Sequence, residues 1–248
     1  MYIEKVNDLL SMHYTLFFLF LYTGLCFAQK DYTFDYRLEY QQTFFKDSIP
    51  IKNRPFYTQD SIATVTYLTN SKDNSYHGVL TAPDSLHYLF NFKDENGLLF
   101  EVSFIKEEFD QAVAIKIPCE FVRSYRNAHT YQTKHYDFSR AKDTLIDGLQ
   151  YQYYTLAANN LRRAKKKKTG TLLYIIAPET SFHLPLLTYA TAFEEWKTNQ
   201  NLPNGIFFRK YFIDYYDRKD TQWKLLSNQK IDLKLHIDAA CDYTKEAN

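Results

Sequence analysis

The stretch Tyr32-Thr33-Phe34-Asp35-Tyr36-Arg37-Leu38-Glu39-Tyr40 decides how this chain folds, because every even position is apolar and every odd one is polar or charged. Successive side chains of a strand leave opposite faces, so this period of two places Tyr32, Phe34, Tyr36, Leu38 and Tyr40 on one buried face. A helix would scatter the same residues around its circumference.

The signature recurs along the chain. Lys46 to Asp60 carries Pro50 and Pro55 among polar residues and reads as a loop. Ser61 to Thr69 is rich in β-branched residues, and Asn70 to Ser75 has turn composition before Tyr76 to Thr81, which predicts a hairpin. Leu86, Tyr88, Phe90 and Phe92 alternate, Asn96-Gly97 supplies a tight turn, and Leu98, Phe100, Val102 and Phe104 alternate again. Gln111 to Ile117 is an apolar run stopped by Pro118. Asp147-Gly148 leads into the strand Leu149 to Leu156, and Asn159 to Gly170 separates it from Thr171 to Ala177, a further hairpin. Ile206 to Tyr216 reads as a long aromatic strand, Asp217 to Asp220 as a turn, and Gln222 to Leu226 leads into Lys230 to Asp238, where Ile231, Leu233, Leu235 and Ile237 alternate with polar residues. The convincing helix is Ala190 to Lys197, with Ala192, Phe193 and Trp196 on one face and Glu194 and Glu195 opposite. The expected fold class is mainly β: an antiparallel curved sheet or half-open barrel of about ten strands with one short helix.

Upstream of the first strand, Tyr14 to Leu25 carries no charge and runs into Cys26-Phe27-Ala28. That is an apolar core followed by small residues at a cleavage site. Residues 1–28 are expected to be a signal peptide and 29–248 a single β-rich domain, exported to the periplasm or outside the cell. Glu4 and Asp8 sit poorly in a signal peptide's positive start, which leaves both Met1 and Met12 open as the first residue. Aromatics make up 18% of the 248 residues against six glycines, which excludes disorder, and the net charge of +1 gives no global pull toward nucleic acid. Cys119 and Cys241 remain after cleavage; in an oxidising compartment they either pair or stay as two structural thiols.

Arg162, Arg163, Lys165, Lys166, Lys167 and Lys168 are the sharpest local feature. They read as a hairpin tip, either solvated to discourage edge pairing or poised to contact an anionic envelope lipid, glycan or protein. His77, His87, His129, His135, His183 and His236 lack metal-ligand spacing, and there is no Gly-x-Ser-x-Gly and no Gly-x-Gly. No catalytic residue, metal or cofactor is therefore expected. Glu107-Glu108 and Glu194-Glu195 are adjacent pairs; neighbours on a strand point to opposite faces, so neither is by itself a glycosidase pair.

A signal peptide, an opening strand such as Phe34 to Tyr40, aromatic hairpins and a short helix resemble uncharacterised secreted β-proteins of Bacteroidota. More loosely they are similar to the LolA/LolB type of half-open barrel that carries lipoproteins across the periplasm. The GLPGLI signature of one such group is missing, since Phe182-His183-Leu184-Pro185-Leu186-Leu187 lacks its glycines. The load of Phe and Tyr on alternating strands favours a non-enzymatic cell-envelope protein that binds a lipid or acyl chain on its curved sheet. Two other readings stay open: an envelope interaction or scaffold module, and a hydrolase of sugars or esters whose acid, base or nucleophile would have to converge in one cleft.

Overall fold

The computed structural model describes residues 30–45, 60–127 and 129–241, so the leader, the proline-bearing loop up to residue 59 and the tail after Cys241 lie outside the described residues. Strands β1 (Lys30–Phe44), β2 (Ser61–Asn70), β3 (Asp73–Thr81), β4 (His87–Asp94) and β5 (Leu98–Ile105) form a meander. Helix α1 (Lys106–Gln111) leads to β6 (Ala114–Ile117) and β7 (Arg123–Ser124). Then come β8 (Tyr136–Phe138), β9 (Lys142–Ile146), β10 (Leu149–Ala158), α2 (Leu161–Lys167), β11 (Thr171–Ile176), α3 (Ala190–Asn199), β12 (Phe207–Ile213) and β13 (Lys219–Ile237). All thirteen strands join one sheet in the order β7-β5-β4-β3-β2-β1-β13-β12-β11-β10-β8, with β6 on β13 and β9 on β10.

The centre of that sheet is the antiparallel pairing of β1 with β13, from Lys30 opposite Ile237 to Phe44 opposite Thr221. Its register breaks between Phe34 and Tyr36 and between Glu39 and Tyr40. Such irregularities bend a strand and re-aim its side chains. Tyr32 and Phe34 accordingly pack in one core and Leu38 and Tyr40 in another. At the first break Asp35 accepts from the backbone N–H (2.7 Å) and the hydroxyl (2.5 Å) of Ser71, fixing the β2–β3 turn where β1 parts from β2.

Five consecutive residues of β2, Val65 to Thr69, are buried, so the sheet has a core on each face there. On one face Leu38 opposes Tyr67, and that core extends through Tyr40, Tyr154, Tyr174, Phe207 and Trp223 to Ala192 and Phe193 of α3. On the other, Leu68 opposes Gly78 and Gly78 opposes Phe92. That second core gathers Phe34, Tyr76, Phe90, Phe100 and Leu235 and is closed by Phe109 of α1. A Cβ on Gly78 would stand 2.4 Å from Cε2 of Phe90, so glycine is what lets that ring cross the strand.

The fold differs from the sequence reading in particular places. β13 is one strand of 19 residues, not two pieces, because it stays hydrogen-bonded to β1 through both irregularities. β6 pairs with β13 in parallel: β12 covers only Lys219 to Lys224, and β6 takes up the edge left bare at Lys234 to Ile237. Glu107 and Glu108 lie in the first turn of α1, not on a strand. The strands beyond ten are short ones, including β7 and β8, which have too few residues to show a period.

Cys119, just after β6, and Cys241, just after β13, are joined by a disulfide with Cα atoms 5.2 Å apart. It closes 122 residues of chain, for which the loop-entropy model gives about 4–5 kcal/mol of stabilisation. Cys241→Ser, or reduction of the native protein, is expected to lower the urea midpoint and to steepen the slope as the released unfolded chain expands; an unchanged midpoint would show that the crosslink constrains nothing.

Candidate functional site

The face that carries Leu38 and Tyr67 is only partly covered. Pairing across β8, β10, β11 and β12 aligns Phe138 with Leu156, Leu156 with Leu172, and Leu172 with Phe212, an apolar row perpendicular to the strands. Two segments cross above this face: the short 3-10 helix Thr130–His135 and the approach to α3 at residues 188–191. Thr191 Oγ1 donates to Gln132 Oε1 at 3.2 Å and ties one to the other. Between these segments and the sheet lies a cleft of about 670 Å³. Its apolar surface comes from Tyr136, Leu156, Leu172, Phe212 and Trp223, and its polar rim from Gln42, Lys93, His129, Gln132 and Lys168.

One row further along the same face, Tyr174 opposes Lys210 and Lys210 opposes Trp223. Lys210 is wholly buried. Its Nζ donates to Thr188 Oγ1 at 2.9 Å and stands 4.0 Å from the ring centroid of Trp223, 4.6 Å from Phe207 and 5.1 Å from Tyr189. Ring faces attract a cation, but no carboxylate among the described residues pairs with it. Burial lowers the lysine pKa to about 7. The Tyr174 hydroxyl is buried too and has no hydrogen-bond partner among the described residues. Thr188, Tyr189 and Trp223, which enclose Lys210, also line the cleft.

His77 on β3 faces the same core, opposite Lys93. Burial, then the charges of Lys93 and Lys210, depress its pKa to about 4. Lys93 is held by Glu95 at 2.8 Å and lies 5.3 Å from the ring of Tyr125. Burial pushes the Glu95 carboxyl up despite that ion pair, and Glu194 adds to the rise through its charge. Glu194 accepts from Asn127 at 2.7 Å, while Glu195 accepts from Asn199 at 3.0 Å and more distantly from the Phe138 N–H. Both glutamates are buried, which corrects their expected place on an exposed helix face. The Thr130–His135 turn and β8 pack on that side of α3 and leave it no solvent. His183 is likewise enclosed: its Nδ1–H donates to the Leu184 carbonyl, so Nε2 accepts from Thr69 Oγ1 at 2.9 Å.

Arg162, Arg163, Lys165, Lys166 and Lys167 belong to α2, which replaces the expected open hairpin tip. Asn160 starts it by accepting from the Arg163 N–H at 3.0 Å, and Lys168 ends it in the left-handed conformation. Arg162, Arg163, Lys166 and Lys167 line a groove of about 500 Å³ whose other wall is Lys134 and His135. Lys168 instead turns to the cleft, beside the ring of Tyr216. Sequence reasoning passed over Lys210 as one cation in an aromatic strand. The signal was there: Arg209 and Lys210 are neighbours mid-strand, so one of them has to face the core.

No family model and no curated protein matches this chain. Among solved structures it is similar to MucB in complex with MucA(peri), at a TM-score of 0.36 and 6% identity over 81% of this chain and 51% of that one. It is similar also to an outer membrane lipoprotein-sorting protein domain from Vibrio parahaemolyticus, at a TM-score of 0.30 and 8% identity over 79% and 85% of the two chains. A DUF1329 family protein from Desulfovibrio piger gives a TM-score of 0.30 and 8% identity over 82% and 86%. The chain thus spans about half the length of the MucB chain it matches. At such low scores no function carries over, and the chain's own residues have to supply one.

The depressed pKa of His77 has a consequence for acid stability. The unfolded histidine takes up its proton near pH 6.5 and the folded one only near pH 4, so stability is lost as pH falls between the two. The loss should approach about 3 kcal/mol below pH 4. His77→Gln is expected to flatten that part of the stability–pH curve; an equally steep curve in the variant would assign the acid sensitivity elsewhere.

Proposed function

We propose that this chain is a non-enzymatic cell-envelope protein that holds an amphiphile, a lipid or acyl chain, in the cleft between its sheet and the Thr130–His135 and 188–191 segments. One observation carries the reading: the aligned row Leu156, Leu172 and Phe212 brings the edge of the core to the wall of an open cleft, whose lining also carries Lys93, Lys168 and the carboxylate Asp220. A cleft of about 670 Å³ falls within the range of small-molecule sites, roughly 300–1,000 Å³. Apolar walls take the chain, and Gln42, Gln132 and Lys168 give the cleft a polar rim. Export behind the leader at residues 1–28 belongs to the same proposal, because it brings the cleft among envelope lipids. Organic extraction of the natively purified protein followed by mass spectrometry should return a bound amphiphile, and an acyl fluorophore should bind. Leu172→Trp, which fills the row, should weaken that binding by about tenfold or more, at a cost of about 1–3 kcal/mol in stability. An empty extract together with no probe binding would end this reading.

A second reading concerns α2. Lys134 and His135 face Arg162, Arg163, Lys166 and Lys167 across one groove, and none of these six has an ion-pair partner among the described residues. Desolvation, and after it the charges of Arg163 and Lys134, lowers the His135 pKa. Unbalanced like charge of this kind suits an anionic partner. Changing Arg162, Arg163, Lys166 and Lys167 to Gln should abolish co-purification of such a partner and leave the melting temperature within a few degrees; undiminished recovery would count against it.

A further inference from the structure

A buried lysine needs a reason. Lys210 offers three N–H donors and uses one, on Thr188 Oγ1. The hydroxyl of Tyr174, directly opposite it in the β11–β12 ladder, uses none. Opposed residues leave the same face with Cβ atoms about 5 Å apart, so these donors converge on one region. An isolated buried donor costs stability, and a methionine or leucine would fill the same volume without the penalty. Groups facing Lys210 from neighbouring elements are Tyr67 of β2, His77 of β3, Tyr174 of β11, Trp223 of β13, and Thr188 and Tyr189 before α3; none is a carboxylate. Lys93, also on this face, is already engaged by Glu95.

We propose that Lys210 and Tyr174 are the receptor, behind the Thr188–Tyr189–Trp223 wall of the cleft, for the terminal oxyanion of the bound amphiphile, and that this group is a monoanionic carboxylate. The inference rests on the cleft reading above and names the ligand's class. Geometry favours the monoanion: one cation and one or two hydroxyls match one negative charge, whereas a phosphate dianion would be left partly uncompensated in a low-dielectric site. The apolar row Leu172–Phe212 adjoins the Tyr174–Lys210 row two residues along each strand, so a chain lying on the first directs its end toward the second. Thr188, which now holds the Lys210 ammonium, would share or yield that donor to the ligand.

Binding is also a protonation step. At pH 8 a lysine with a pKa near 7 is mostly neutral, so seating a carboxylate beside it draws a proton from solvent onto Nζ and leaves an ammonium–carboxylate pair. The full-chain protein should be titrated calorimetrically at pH 8 with decanoate and with decan-1-ol, in buffers of different ionisation enthalpy. Decanoate is expected to bind about tenfold more tightly than the alcohol and to take up close to one proton, about 0.9. Lys210→Met should erase both the preference and the proton uptake while leaving decanol affinity within about twofold, and Tyr174→Phe should reduce the preference by about threefold. Equal binding of acid and alcohol by the wild type without proton uptake, or a preference that survives Lys210→Met, would overturn the assignment and leave the cleft reading standing. Failure of both probes to bind would sink the cleft reading and this one with it. Should Lys210→Met not fold, the wild-type proton count decides alone.

Discussion

Everything in this fold hangs on β1 finding β13. The two strands lie about 190 residues apart in sequence yet pair along fourteen positions, from Lys30 with Ile237 to Phe44 with Thr221, and each then carries one half of the sheet on its other edge. β2 through β5 continue from β1, and β12 back to β10 continue from β13. Neither half has its central wall without that pairing. The disulfide between Cys119 and Cys241 acts on the same junction, since one sulfur follows β6 and the other follows the end of β13 to which β6 is paired.

The first irregularity in this central ladder, between Phe34 and Tyr36, explains how one sheet can serve two cores. A regular β1 would send all five of its apolar side chains to a single cluster. Bent as it is, it gives Tyr32 and Phe34 to the phenylalanine-rich core under α1, and Leu38 and Tyr40 to the tyrosine-rich core under α3. The second of these is where polar chemistry accumulates. Lys210, His77, Tyr174 and Tyr67 all look into it, and burial moves His77 and Lys210 toward their neutral forms. Tyrosine suits such a place because its ring packs and its hydroxyl bonds.

Much of this was legible in the residues and some was not, for physical reasons. Alternation at Tyr32 to Tyr40, Leu86 to Phe104 and Ile231 to Ile237 reports a half-buried strand directly, and those strands are where the period put them. Alternation says nothing about partners, so the parallel seat of β6 and the unbroken length of β13 were invisible. α1 is only six residues long, too short for a helical period, and α2 hid behind its charges. Glu194 and Glu195 misled because a carboxylate on a helix usually faces water; here Asn127 and Asn199 supply donors to each in place of water. The cleft itself depends on where the Thr130–His135 turn and residues 188–191 cross the sheet, which no local pattern encodes. Lys210 was within reach, since of two adjacent cations in a strand with a core on one face, one has to turn toward it.

The phenylalanine-rich core has a bearing on how the molecule as a whole behaves. Phe90, Phe92, Phe100 and Phe109 interlock through edge-on and stacked contacts, with centroids 5.1–5.6 Å apart, and none of them lines the cleft. This half is a keel: it anchors β1 and the late part of β13 from behind, so the early part of β13 and its neighbours form a fixed floor for whatever lies on them. Residues above that floor, on the 188–191 segment and the Thr130–His135 turn, are then free to vary without putting the sheet at risk. A scaffold divided in this way separates the half that braces the sheet from the half that carries the cleft.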